Sequence, residues 1–519
     1  MAWLTRALLL GLCAQIVIAK TSTSNKDAPQ PAPVPNAEDG KNIAYEQIDK
    51  SQVIYTSNTT FSDPNSIPPT NGWWSSNICA QKTYCIYTNL GLGHGRGIVL
   101  LTKYADFQKI ARLDQHLDQA EDRIEAFTTI TITPAKAEAT GAKGKEDRQR
   151  EEEKPFSESF ILSKGPGLTA TIPLRRGKPL MSAAPVLLVH KDFFVDIWRK
   201  SERNKFLEKT VSFLPPATRE AFDRQRTLYV LAPDQEERKI EQVLLASPFE
   251  IDLGSNSNSY TPFGQATLQT DHSKHYINYP SMFLFTHSCR PNIAFHIDGT
   301  LALRTTVARK VAPGEELSIA YIDPLLPRKE RQEWVAQHRP SLSLSPCSSE
   351  PPPESPCPCP ACTGHYHYPS SKPHGHPHPM SPSQELSTSA SSAARLASLD
   401  RIRSQLRNHD SPPVPPETIE YFLKLYLEEG LESKMAEAYE LAATNYNYLG
   451  KDDDRKAKKY AELAVQAARI EYGGDANEVV AMRIMAGDVR GHWSWGYKVR
   501  GCYCWCQACA ESPRGQGFD

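Results

Sequence analysis

Apolar and polar positions change period along the chain, and each change marks a different kind of element. Ala7 to Ile18 is a continuous apolar run of 12 residues behind one positive charge, and Val17-Ile18-Ala19 stands before Lys20. That combination reads as a signal peptide over 1–19, too short to span a bilayer, with a buried N-terminal helix as the alternative. From Lys20 to Pro69 the residues are Ser, Thr, Asn, Pro and charged, so 20–69 is expected to be a disordered lead. Trp73, Trp74, Ile78, Tyr84, Ile86 and Tyr87 predict short strands, followed by glycines at 91, 93, 95 and 97 that predict turns. Tyr104 to Phe127 has helical spacing and Pro134 to Lys154 is a charged linker, which closes a strand and helix region over 70–155.

A β-rich domain is expected over 156–325. Phe160 to Leu162, Leu168 to Ile172 and Pro185 to His190 read as strands, and 196–246 as a helical insert broken at Pro215-Pro216. Strand-like segments then return up to Asp323. Residues 326–365 carry a Pro/Ser-rich insertion and a cysteine cluster, and 366–392 reads as a low-complexity linker. Histidines 365, 367, 374, 376 and 378 could hold a metal or form a solvated stretch. The region 393–487 is helical, with segments ending at Gly430, Gly450 and Gly473-Gly474, and a last helix from Asn477 to Met485. Small and aromatic residues on one face, Ala436, Tyr439, Ala442, Tyr446, Tyr460 and Ala464 among them, predict stacked helical hairpins of tetratricopeptide type or a small bundle. A cysteine-containing tail occupies 488–519.

Composition narrows the function. A chain of 519 residues with 39% hydrophobic content predicts about three cored domains and excludes a fibrous or wholly disordered protein. Lys+Arg number 59 against 60 Asp+Glu, so the net charge of −1 offers no field for direct nucleic-acid binding. Beyond the first run, no stretch is long and apolar enough for a membrane helix. Asn58-Thr59-Thr60 is a glycosylation sequon, in keeping with a secretory or extracellular location; nuclear or cytoplasmic residence is the alternative if the signal is not used.

Four blocks carry the chemistry, in this order: Gly165-Pro166-Gly167 before a strand; Phe285-Thr286-His287-Ser288-Cys289-Arg290-Pro291-Asn292; Gly314-Glu315-Glu316-Leu317-Ser318-Ile319-Ala320-Tyr321-Ile322-Asp323; and Cys357-Pro358-Cys359-Pro360-Ala361-Cys362. Read alone, the glycines are an ordinary tight turn and Tyr321 a buried tyrosine. In this series the chain resembles the SET-domain protein-lysine methyltransferases, most closely the SET-and-MYND subfamily and related fungal-type SET proteins. The likeness covers about 165–362 well and 417–485 loosely. It implies an α+β class: a β-rich SET fold with a pseudoknot and helical insert, a zinc-bound post-SET segment, and an all-α helical-hairpin domain at the C-terminus.

The resemblance also implies roles. Gly165, Gly167, Thr286, His287 and Tyr321 would bind S-adenosylmethionine, with His287 acting mostly through its main chain. Tyr321 would be catalytic, orienting the amine of a lysine on a protein substrate. Transfer needs that amine neutral although free lysine titrates near 10.4, so an apolar channel is required, and Tyr276, Tyr279, Phe283 and Phe285 could wall it or be plain core. Cys357, Cys359 and Cys362 supply three thiolates, and by the resemblance Cys289 is the fourth ligand of a Zn2+ ion. Cys79 and Cys85 are then a plausible disulfide, while Cys504, Cys506 and Cys509 repeat the spacing and could compete for metal.

Three departures from the family stand out. Thr286 occupies the place of an asparagine, no aromatic residue precedes Cys357, and no eight-ligand MYND finger string is found. A hydroxyl offers less reach than a carboxamide, so the cofactor site is either weakened or lost. In the second case the protein is an inactive SET scaffold that binds other proteins. Substrate identity and oligomeric state are not encoded in these motifs.

Overall fold

Strand residues that alternate between two hydrophobic cores build the centre of the molecule. The computed structural model describes residues 59–61, 72–113, 154–161, 164–229, 239–245, 249–253, 273–338, 357, 359–363, 382–450 and 453–499. All belong to one compact unit, Tyr45–Asp519; the other unit, Met1–Ala44, lies outside the described residues. The expected signal peptide, most of the lead, the charged linker, the 339–356 insertion, the histidine stretch and the residues from 500 onward also lie outside them.

A seven-stranded sheet runs in the order β1 (Thr59–Phe61), β2 (Trp73–Ala80), β3 (Tyr84–Asn89), β4 (Ile98–Thr102), β8 (Leu187–His190), β10 (Lys274–Asn278) and β9 (Glu250–Asp252). Successive strand side chains point to opposite faces. On one face Trp73, Ile98, Leu100 and Leu188 join a core with Phe107 and Ile110 of α1 (Tyr104–Ala111). On the other, Ile78, Val99, Leu101, Leu187 and Val189 pack under the insert helices α2 (Lys200–Ser212), α3 (Pro216–Tyr229) and α4 (Lys239–Leu245). Burial on both faces explains why these strands read as nearly unbroken apolar runs.

This sheet corrects the expected boundary at 155. β4 pairs in parallel with β8, Val99 opposite Leu187, so residues 72–113 share sheet and core with the region after 156. Cys79 and Cys85 are cross-strand partners on β2 and β3 and form the expected disulfide.

Two smaller sheets complete the β-rich part. One runs β11 (Thr286–His287), β14 (Glu316–Ile319), β6 (Gly165–Ala170) and β5 (Phe156–Ile161); the other runs β12 (Ile293–Ile297), β13 (Leu303–Val307) and β7 (Pro179–Ala183). β7 has no strand pattern of its own, since Pro179 opens a short mixed run; its pairing with β13 supplies the order. The class is thus α+β, as expected.

After α5 (Arg328–His338), the C-terminal part consists of α6 (Pro382–Arg407), α7 (Pro416–Glu428), α8 (Met435–Leu449), α9 (Asp454–Glu471) and α10 (Asn477–Gly487), ending at the anticipated glycines. α6 begins inside the expected 366–392 linker: its Ser/Ala-rich first half resembles low complexity, yet no proline or glycine interrupts it between Ser383 and Arg407. The first part of the expected tail is also folded, since Trp495 donates to Asp454 at 2.9 Å and Asn447 to the carbonyl of Val489. Gly473 has φ +97°, and a Cβ there would lie 2.6 Å from His296 of β12, so only glycine lets helix and sheet meet at this point.

Candidate functional site

The parallel pairing of β11 with β14 sets Thr286 opposite Ser318 and His287 opposite Ile319. Residues 30 and more apart in sequence therefore share one site. Tyr321 follows β14 and is 4% exposed; its N–H donates to His287 Nδ1 at 3.1 Å and its hydroxyl donates to the carbonyl of Phe285. With Nδ1 accepting, the proton of His287 sits on Nε2, which faces the Cys289 sulfur at 3.4 Å. The His287 ring also links Tyr321 to the cysteine cluster. Its carbonyl is used as well, accepting from Lys164 Nζ at 3.3 Å.

Thr286 is 7% exposed and donates its hydroxyl to Glu316, whose carboxylate also pairs with Lys164 at 2.7 Å. The substitution is thereby built into an internal network. Gly165 has φ +86°, whereas Gly167 does not reach the left-handed region; it lies in β6 opposite Ser159. Glycine is required at 167 by space, since a Cβ would meet Ile161 at 2.6 Å and Thr286 at 3.0 Å. Asn292 closes the string against β14. It takes the Ser318 N–H at 2.9 Å and donates to the Glu316 carbonyl at 2.7 Å, which ties string to strand.

Of the four channel candidates, Tyr279, Phe283 and Phe285 share the core of Tyr321. Tyr276 does not: it packs on the opposite face of the sheet against Phe194. A cavity of about 560 Å³ opens beside Phe283 and Leu284, lined also by Ser182, Thr218 and the ion-paired Glu158 and Arg224, 3.3 Å apart. Gly165, Gly167, Thr286, His287 and Tyr321 are not among its lining residues.

Cys289, Cys357, Cys359 and Cys362 come together, each wholly buried and none in a disulfide. Their sulfurs lie within 4.8 Å of one another, with Cys289 and Cys362 3.6 Å apart. A tetrahedral ion with bonds of about 2.3 Å needs sulfurs about 3.8 Å apart, so the donor set fits zinc. Hydrogen bonds from Cys289 and Cys357 hold the Cys359 thiol well below the usual range, while donation toward Cys289 pushes Cys357 up.

Sequence reading missed two features. Arg290, within the string, is buried and pairs with Glu429 just after α7 at 2.5 Å; Glu429 also accepts from Arg395 at 2.6 Å and Ser392 at 2.8 Å. The second is a buried cluster of Asp106, His190 and His275 from three elements. His190 Nε2 lies 3.3 Å from Asp106, and the Asp192 N–H donates to its Nδ1. His275 donates to the Ser273 carbonyl at 2.8 Å and accepts from Thr102 at 2.6 Å. No spacing rule joins residues so far apart in sequence.

The SET domain family model matches residues 120–322. The chain carries a SET domain. A 57-residue stretch is 44% identical to mouse histone-lysine N-methyltransferase SMYD3, covering 11% of this chain and 13% of that protein. Among solved structures, a chain of Chaetomium thermophilum Polycomb Repressive Complex 2 bound to GSK126 matches at 15% identity and a TM-score of 0.16, over 65% of this chain and 34% of that one. This SET-domain chain therefore spans about an eighth of the curated relative and about a third of the solved one. Strands β2 to β4 precede the matched residues yet share the seven-stranded sheet. No helix among the described residues is long and apolar enough to cross a membrane.

Proposed function

We propose that this SET-domain protein is a protein-lysine N-methyltransferase using S-adenosylmethionine, with a zinc-bound post-SET segment and a C-terminal helical domain of tetratricopeptide-like hairpins. The carrying observation is Tyr321, buried with its hydroxyl on the Phe285 carbonyl and its N–H on His287. When bound, S-adenosylmethionine supplies a sulfonium methyl that a neutral amine can take. Tyr321 Oη and the Phe285 carbonyl are acceptors for the N–H groups of an entering lysine and fix the direction of its lone pair. Tyr279, Phe283 and Phe285 surround that point with apolar surface, which disfavours the ammonium form. Gly165, Gly167, Thr286 and His287 would hold the cofactor. Cys289, Cys357, Cys359 and Cys362 would hold Zn2+, a structural role that closes the site. The Cys79–Cys85 disulfide supports the secretory route read from residues 1–19.

A second reading, an inactive scaffold, is favoured by one observation: the Thr286 hydroxyl is spent on Glu316 rather than turned to a ligand. Calorimetric titration of S-adenosylmethionine into the full chain separates the two. Micromolar binding that Gly167→Trp abolishes, with methylation of a protein substrate lost in Tyr321→Phe, is expected for the enzyme. A folded protein that binds no cofactor is the scaffold.

A further inference from the structure

We propose that Arg331 is the buried counter-ion of the four-cysteine centre, holding its metal by balancing thiolate charge without ligating it. This rests on the zinc reading above. Four thiolates around Zn2+ leave a net charge of −2, and a net charge inside a protein is costly unless an opposite one is buried with it.

One helix face supplies the surroundings. Arg328, Arg331 and Val335 lie at i, i+3 and i+7 on α5. Arg328 donates to the carbonyl of Cys362, and Val335 packs on the cysteines together with Trp334. Arg331 is 1% exposed; burial works against its charge, and the neighbouring sulfurs of Cys289, Cys362 and Cys359 outweigh it. Among the described residues it forms no ion pair with a carboxylate, and its Nε and Nη1 have no hydrogen-bond partner. A guanidinium this deeply buried has the thiolates as its balancing charge. The Cys289 sulfur also faces His287 Nε2 at 3.4 Å. Outer partners of this kind commonly hold 10- to 100-fold of metal affinity. Arginine suits the place because its charge is permanent and its planar fork can face several sulfurs at once.

The test uses full-length protein loaded with Zn2+, with transfer of metal to a competing chelator followed for wild type, R331M, R331K and C359S. Folding is monitored by circular dichroism. Wild type holding no zinc beyond what C359S holds would sink the zinc reading itself. With zinc held, R331M is expected to weaken affinity roughly 10- to 100-fold and R331K to recover most of it. In Co2+-loaded samples, the sulfur-to-metal charge-transfer band should shift in R331M while the tetrahedral d–d bands persist. R331M that holds zinc as tightly as wild type overturns the counter-ion. Should R331M fail to fold, R331K decides: near wild-type affinity supports the charge role, and a loss above about tenfold assigns the effect to hydrogen-bond geometry and overturns it.

Discussion

The four-cysteine cluster and the Asp106–His190–His275 cluster are both fully buried groups of metal-competent side chains, yet their hydrogen bonding differs. In the second, each histidine Nδ1 already has a main-chain partner, His275 Nε2 has Thr102, and Asp106 also accepts from Ser273 and Lys109. His190 Nε2 is the exception, standing 3.3 Å from an Asp106 oxygen without a hydrogen bond. In the first, four thiols face one another and a buried guanidinium has N–H groups with no partner among the described residues. A polar cluster whose charge the protein already balances, as Lys109 does for Asp106, is structural; four buried thiols facing one another are a donor set for an ion.

The comparison can be broken most forcefully at the cysteines. Cys359→Ser, or chelation of loaded protein, is expected to cost on the order of 10 kcal/mol of metal-binding energy, read as lost zinc and the largest fall in Tm of any variant here. An unchanged Tm would place the cysteine cluster with the histidine one. Asp106→Ala should cost roughly 3–5 kcal/mol in urea unfolding while leaving zinc content unchanged, because it strips a buried network of its charge.

Smaller, but sharper, is the dependence on pH. Burial, and then the neighbouring His190, lower the His275 pKa to about 4, below the unfolded value of about 6.5. The unfolded chain therefore binds this proton first as pH falls. Stability is complete above about pH 6.5 and is lost progressively down to about pH 4, by roughly 3 kcal/mol. Burial works against the charge of Asp106, yet hydrogen bonds from His190 and Ser273 outweigh it and lower its pKa, so its contribution is lost at still lower pH. Urea midpoints from pH 7.5 to 4 should show this slope in wild type and lose it in His275→Gln. The same slope in both would assign it to the thiolates.

What could be read in the chain follows how local each signal is. Gly430, Gly450 and Gly473 end helices by local chemistry, and the His287 to Cys289 string and the Cys357 to Cys362 spacing are contiguous in sequence. Partners brought together by topology were not legible. β7 is a strand because β13 is beside it, and β4 joins the later sheet only through β8. Thr286 looked like a cofactor ligand lost in part; only the fold brings Glu316 and Lys164 to its hydroxyl. Arg331 sits in a helix rich in exposed charge, and nothing but its position three residues beyond Arg328 sets it on the cysteine face.

The Arg290–Glu429 pair has a consequence during synthesis. The two residues are 139 positions apart, and the glutamate emerges from the ribosome last. At about 5–20 residues per second, the string bearing His287 and Cys289 waits roughly 7–30 s with an arginine that can be neither solvated in its native place nor paired. Until α7 has been made, Arg290 has only the Cys289 and Pro324 carbonyls as partners and lacks its carboxylate. A transcript that stops before Glu429 would encode every motif of the site and still leave Arg290 without the charge that closes it.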